Sequence, residues 1–339
     1  MSDRDLNAVA MKIVADGRGV LAADESTGTI KKRFDQIGVE NTEENRRDYR
    51  EMLFRAEDHG KYTGGIILYD ETLRQKAADG TPLVDLIRNA DVAPGIKVDK
   101  GAKPLPFAPG ETVTEGLDGL RERFEEYRKL GAEFAKWRAV IKITDDLPSD
   151  YCIAANAHAL ARYAALSQEA GIVPIVEPEV LMDGGHDLAR CQKVTEDTLE
   201  AVFAELHAQR VALEGMLLKP NMVISGQDAA NRAGVQEVAY ATIQTLKRCV
   251  PAAVPGIVFL SGGQTEEEAT AHLDAMNRLG DLPWKLSFSY GRALQQSALK
   301  AWSGKPENVA AGQRAYLHRA RMNWAAARGE WHAELEKAA

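Results

Sequence analysis

Short runs of apolar and β-branched residues recur along the chain, each ending in polar side chains and leading into a segment with helical spacing. Eight such runs are legible: 19–24, 64–70, 95–99, 137–143, 172–177, 215–219, 256–261 and 285–290. Their last residues lie 29 to 46 positions apart, room for a helix and two loops between successive strands. The runs are continuously apolar rather than alternating, Ile66-Ile67-Leu68 and Ile257-Val258-Phe259-Leu260 most clearly. Strands buried on both faces of a parallel sheet carry that pattern. The helical segments carry boundary signals. Thr265-Glu266-Glu267-Glu268 predicts a capping box, with the Thr265 hydroxyl at the N-cap and Glu268 reaching back to it. Leu160, Tyr163 and Leu166 share one helical face, and Gly171 follows where a left-handed C-cap belongs. Residues 43–55 and 117–130 read as charged amphipathic helices.

Eightfold alternation of strand and helix predicts an α/β protein built as a single (β/α)8 barrel. The whole chain, 1–339, reads as one domain: a barrel core at about 19–302, a helical extension before Gly19, and a C-terminal helical tail over 303–339. An open doubly wound sheet is the alternative, weakened because no G-x-G-x-x-G follows the first run. At 45% hydrophobic and 27% charged residues the chain can bury a large core, which excludes extended disorder. Its longest stretch without a polar side chain, 249–260, is shorter than the roughly 20 residues of a membrane span. Met1-Ser2-Asp3-Arg4 opens the chain with no apolar signal region, and Cys152, Cys191 and Cys249 show no CxxC spacing, so a cytoplasmic location is expected. The net charge of −8 argues against a nucleic-acid partner, though not against a small anion met by a few converging cations.

A barrel carries its chemistry at the C-terminal ends of its strands. There the runs place Asp24, Lys97 with Asp99, Glu177 with Glu179, Lys219, Ser261-Gly262-Gly263, and Ser289 with Arg292. The fourth run adds Lys136, Arg138 and Lys142, which two-residue periodicity predicts on one face. A single lysine at a strand end is as readily a solvated residue; convergence of seven of the eight ends on polar groups points to a site. Lys219 follows three apolar residues and precedes Pro220, which pushes its side chain into the barrel mouth. Desolvation and a cationic neighbour such as Lys136 would favour the neutral amine that attacks carbonyls. Glu177 and Glu179, at i and i+2, are expected to repel each other, leaving one as a proton donor and the other ionised. The alternative for the pair is two structural anchors, each bonded to a lysine. Gly262 and Gly263 expose backbone N–H groups at a helix start, and Arg292 on the next loop adds a forked cation, together a phosphate cradle. No metal site is predicted, because the seven histidines have no ligand spacing, and His186-Asp187 reads as surface loop.

These segments together make the chain similar to the class I, Schiff-base fructose-1,6-bisphosphate aldolases. The likeness is carried by Leu21-Ala22-Ala23-Asp24-Glu25-Ser26, Glu44-Asn45-Arg46-Arg47, Gly95-Ile96-Lys97-Val98-Asp99, Ala135-Lys136-Trp137-Arg138, Val176-Glu177-Pro178-Glu179, Leu217-Leu218-Lys219-Pro220, Ser261-Gly262-Gly263-Gln264 and Ser289-Tyr290-Gly291-Arg292. The resemblance implies reversible cleavage of the ketose bisphosphate to dihydroxyacetone phosphate and glyceraldehyde 3-phosphate, in glycolysis or gluconeogenesis, with no cofactor and no metal. It implies Lys219 as the imine-forming lysine, Glu177 as its acid/base group, Glu179 as the residue orienting that lysine, and Asp24 and Lys136 as assistants in cleavage and carbinolamine chemistry. Ser261, Gly262, Gly263, Ser289 and Arg292 would hold the phosphate on carbon 1; Lys97, Arg138, Arg46, Arg33 and Ser26 would gather around the other. Thr29 stands where many relatives have serine, keeping the hydroxyl. A homo-oligomer, tetrameric by family habit, is implied, with phosphorylated ketose and triose phosphates as ligands. Eukaryotic members end in a tyrosine that favours the bisphosphate, whereas the last tyrosine here is Tyr316. The alternatives are therefore a Schiff-base aldolase for another phosphorylated ketose, such as fructose 1-phosphate, or a non-catalytic scaffold barrel.

Overall fold

A computed structural model describes residues 5–337; expectations for residues 1–4 and 338–339 lie outside the described residues. Ten strands follow in chain order: β1 (Gly19–Ala23), β2 (Thr63–Leu68), β3 (Ala93–Lys97), β4 (Ala102–Pro104), β5 (Thr112–Thr114), β6 (Phe134–Ile141), β7 (Val173–Val180), β8 (Leu217–Leu218), β9 (Gly256–Phe259) and β10 (Lys285–Tyr290). Eight of them form a closed barrel in the order β1-β2-β3-β6-β7-β8-β9-β10, every pairing parallel. Closure is made by β1 against β10, with Val20 opposite Ser289 and Leu21 opposite Tyr290. The architecture is the expected (β/α)8 barrel, and the apolar runs are its strands because both of their faces are covered.

Inside, the lower half of the barrel packs Val20, Ile67, Phe134, Val173, Leu217 and Val258 onto one another. Each large side chain buried there contributes about 2–3 kcal/mol. The helix Leu6–Ile13, capped by Asp5, lies across this end and adds Ala10 and Ile13 to the same cluster, so it floors the barrel. Its approach needs Gly64: a Cβ there would sit 2.0 Å from the Ile13 carbonyl oxygen. Gly95 makes room for the Phe134 ring, which a Cβ would meet at 2.2 Å. Outside the barrel, Trp137 stacks on Tyr163 at 5.6 Å and anchors the helix Asp150–Glu169 against β6.

Boundary signals hold where local chemistry fixes them. Thr265 and Glu268 form both bonds of the capping box on the helix Glu266–Arg278, and Gly171 takes a positive φ of 73° just past Glu169. Three readings are corrected. The fourth barrel strand begins at Phe134, not 137, and ends at Ile141, so Lys142 lies beyond it and is exposed instead of sharing the face of Lys136 and Arg138. The fifth barrel strand, β7, does not stop at Glu177 but continues through Glu179 to Val180. The antiparallel hairpin of β4 and β5, inserted between β3 and β6, was not expected. Past residue 302 the chain forms the helix Val309–Ala326 and a short 3-10 turn, Ala333–Lys337. Among the described residues no helix is long and apolar enough to cross a membrane, and the three cysteines are buried and unpaired.

Candidate active site

The C-terminal ends of the strands surround a cleft of about 550 Å³. Every expected site residue lines it except Arg46. Arg46 sits on the helix Glu43–Phe54, and its guanidinium forks onto Glu71 at 2.8 and 2.6 Å. Ser26 caps the helix Thr27–Asp35 by accepting the Thr29 N–H, and Arg33 on that helix pairs with Glu25. Lys97 pairs with Asp99 at 2.8 Å.

The sheet register brings the reactive groups together. On β6 and β7, Arg138 lies opposite Glu177 and Val140 opposite Glu179, so Lys136 and Glu177 are diagonal neighbours pointing into the mouth. Lys219 immediately follows β8, and its backbone N–H still donates to the Val176 carbonyl at 2.8 Å. Pro220 cannot donate to the ladder, and its carbonyl accepts the Leu260 N–H at 3.1 Å. Asn221 accepts the Val180 N–H at 3.0 Å. The lysine's backbone is thereby held between β7 and β9, and its side chain is left 5% exposed.

Glu177 occupies the centre. One carboxylate oxygen lies 3.1 Å from the Lys219 side-chain nitrogen, and the other lies 3.2 Å from that of Lys136. Lys136 also holds Asp24 at 2.8 Å. Lys136, Glu177 and Lys219 are buried and the Asp24 side chain is only 12% exposed, so these charges interact through little water. Burial alone would raise the Glu177 pKa, but Lys136, Lys219 and Arg138 outweigh it and hold the carboxyl below its usual value. Burial works the same way on Asp24, and Lys136 and Lys219 overcome it to bring the group to about 2. Burial favours deprotonation of Lys136, yet Asp24, Glu177 and Asp99 keep its ammonium well above the lysine range.

Two expectations change here. Glu177 rests ionised, because Lys136, Lys219 and Arg138 together outweigh its burial and the repulsion of Asp24. Nor does Glu179 pair with Lys219: its ion pair is with Arg138, on the adjacent strand. Sequence reasoning also passed over Glu25, which is buried between Arg33, Gln295 and Arg50. Its position directly after Asp24 was the available signal. Met182 and Gln227, from the loops after β7 and β8, line the cleft and carry no motif that announces them.

The depressed Asp24 pKa contributes stability that is present above about pH 4 and lost as pH falls toward 2. The difference in unfolding free energy between the wild type and Asp24→Asn is expected to shrink by about 2 kcal/mol from pH 6 to pH 2 in urea titrations. A difference that stays constant with pH would mean that Asp24 is not held in this ion pair.

At the other side of the mouth, Ser261 to Gln264 turn from β9 into the helix Glu266–Arg278. Arg292 reaches over this turn and donates to the Gly262 carbonyl. Among the described residues Arg292 has no carboxylate partner, unlike Lys97, Lys136, Arg138 and Lys219. The Ser289 hydroxyl is buried without a hydrogen-bond partner. An unpaired guanidinium, an unsatisfied hydroxyl and a glycine turn at a helix start are the components of an anion site.

The family model described as "Fructose-bisphosphate aldolase class-I" matches residues 5–339. A protein of Xanthomonas campestris described as "Probable fructose-bisphosphate aldolase class 1" is 58% identical over 332 residues, spanning 98% of this chain and 99% of its own. Fructose-bisphosphate aldolase C of Rattus norvegicus is 54% identical over 330 residues, 97% of this chain and 91% of its own. The solved structure of fructose-bisphosphate aldolase from Plasmodium falciparum, in complex with TRAP and a small-molecule inhibitor, superposes with a TM-score of 0.96 at 51% identity, covering 97% of this chain and 95% of that one. With the barrel and its buried lysines in place, these likenesses mean that the chain belongs to the class I fructose-bisphosphate aldolase family.

Proposed function

We propose that Lys219 carries, as a covalent imine, the reaction of this family: reversible aldol cleavage of fructose 1,6-bisphosphate to dihydroxyacetone phosphate and glyceraldehyde 3-phosphate. The observation that supports this most directly is the Glu177 carboxylate bridging the Lys219 and Lys136 nitrogens at 3.1 and 3.2 Å.

A resting carboxylate in that position acts first as a base. Glu177 takes a proton from the Lys219 ammonium, and the freed amine attacks the ketose carbonyl at C2. The resulting carbinolamine must lose its hydroxyl, and Glu177, now protonated, donates to it as water leaves. One group thus serves as base and then acid, a role that needs contact with both the amine and the departing oxygen. The iminium formed draws the electrons of the C3–C4 bond as that bond breaks, while a base removes the C4 hydroxyl proton. Glu177, ionised again, suits this step better than Asp24, because a carboxylate held at about 2 is a weak base. Asp24 instead fixes Lys136, whose persistent positive charge faces oxygen atoms that gain negative character. Glyceraldehyde 3-phosphate leaves; the enamine is protonated, and hydrolysis of the iminium releases dihydroxyacetone phosphate and Lys219.

The Gly262–Gly263 turn with Ser261, Ser289 and Arg292 takes the phosphate on C1. Ser26, Arg33, Lys97 and Arg138 take the other, and Glu179 holds Arg138 in place. The imine makes a metal unnecessary in this reading, since the protonated nitrogen withdraws the electrons. A cytoplasmic homo-oligomer, tetrameric as in the family, belongs to the same proposal and is supported by family membership alone.

The test is reduction with borohydride in the presence of dihydroxyacetone phosphate and a metal chelator, followed by peptide mass mapping. An adduct on the Lys219 peptide is expected, and none in Lys219→Ala. An adduct confined to Lys136 or Lys97 would overturn the assignment.

A further inference from the structure

The glycine turn of the phosphate cradle has little rigidity of its own. Gly262 sits at a positive φ of 54°, and glycine passes between left- and right-handed backbone at little steric cost. The Ser261–Gly262 peptide is therefore free to rotate unless something holds it. Its carbonyl and its N–H point to opposite sides of one trans peptide plane. Rotation would swing the Gly262 N–H away from an anion in the cleft that Ser261 and Gly262 line.

That rotation is blocked from behind the turn. The Ser261 carbonyl accepts the Gln264 backbone N–H at 3.1 Å and the Gln264 side-chain Nε2–H at 3.0 Å. The Oε1 of Gln264 lies 2.6 Å from Nδ1 of His272, on the helix Glu266–Arg278. Both side chains are buried, so water competes little for these bonds, and His272 lies outside the cleft lining. The chain of bonds can run in one direction only. A carbonyl cannot donate, so the amide nitrogen must face Ser261; the amide oxygen then faces the imidazole, and Nδ1 must carry the proton. Burial pushes the His272 pKa down to about 4, against the pull of Glu268, so the ring rests neutral with its proton on Nδ1.

We propose that His272 is a positioning residue of the cradle: through Gln264 it locks the Ser261 carbonyl and so aims the Gly262 N–H at the phosphate. The proposal rests on this turn being the C1-phosphate site. None of these bonds reaches Lys219, so the lock acts only on ligands that carry that phosphate.

Three variants separate the donor's role from simple packing. His272→Leu removes the donor and keeps an apolar side chain. His272→Gln keeps an amide but carries its nitrogen out toward the place of Nε2, and it replaces the leucine variant should that one not fold. His272→Asn can set its amide nitrogen where Nδ1 stood. The leucine and glutamine variants are each expected to raise KM for fructose 1,6-bisphosphate and the inhibition constant for dihydroxyacetone phosphate about 3- to 10-fold, the worth of one neutral hydrogen bond, with kcat retained. His272→Asn should bring both constants back to the wild-type values. Borohydride trapping of dihydroxyacetone, which has no phosphate, should run at the wild-type rate in all three. Wild-type binding in the leucine and glutamine variants would overturn the proposal. So would an asparagine variant as weak as they are, or an equal loss with the phosphate-free ketone. Adduct at Lys219 is read in every sample; its absence in the wild type would sink the imine instead, so the two failures give different results.

Discussion

Lys219→Arg is expected to lower kcat for fructose 1,6-bisphosphate cleavage on the order of 10⁶-fold, the scale reached when an enzyme loses its covalent nucleophile. Arginine preserves the positive charge and can still meet Glu177, so the fold has no reason to fail. Its guanidinium stays protonated and cannot condense with a carbonyl. Charge and packing are thus held nearly constant while the one necessary bond is forbidden. Coupled assay of triose phosphate release, with circular dichroism as the check on folding, measures both sides. A folded variant retaining activity within about 100-fold of the wild type would show that catalysis needs only a cation at this position, and the covalent account would be lost.

Glu177→Gln is expected to have the next largest effect, a fall of about 10² to 10⁴ in kcat, as for other lost general acid–base groups. The amide is almost the same size and can still accept from Lys219, but it cannot carry a proton from the ammonium to the departing hydroxyl. Imine formation itself should therefore slow, and single-turnover borohydride trapping should fall in proportion to kcat. Normal trapping with slow turnover would move the role of Glu177 to carbon–carbon cleavage alone. Glu177 also lies between two buried amines, so its loss leaves Lys136 with Asp24 as its near ion pair and Lys219 with none within reach among the described residues.

The barrel was legible because its evidence is local and repeated: strands covered on both faces must be apolar throughout, and Ile66-Ile67-Leu68 admits few other readings. The hairpin was not, since Ala102, Lys103 and Pro104 are exposed and each strand is only three residues long. Lys142 was misplaced because periodicity gives a face but not the residue at which a strand stops, and β6 ends one position earlier. The site was visible as a set of strand-end polar residues; its pairing was not. Glu179 takes Arg138 because the β6–β7 register puts them within reach, and Arg46 is claimed by Glu71 from the segment after β2. Both are consequences of which strands lie side by side, which no single segment encodes.

The flooring helix imposes an order on how the molecule can be made. Leu6–Ile13 is synthesised before every strand it packs on, yet its apolar side belongs to one cluster with Phe134, Val173, Leu217 and Val258, contributed by strands spread over much of the sequence. β1, next to emerge, waits for β10 before its second edge is covered. A nascent chain therefore carries two unsatisfied surfaces, one greasy and one an open row of backbone donors and acceptors, until β10 has left the ribosome. Closure is a late event joining strands far apart in the sequence, and protection of the growing chain matters most during that wait.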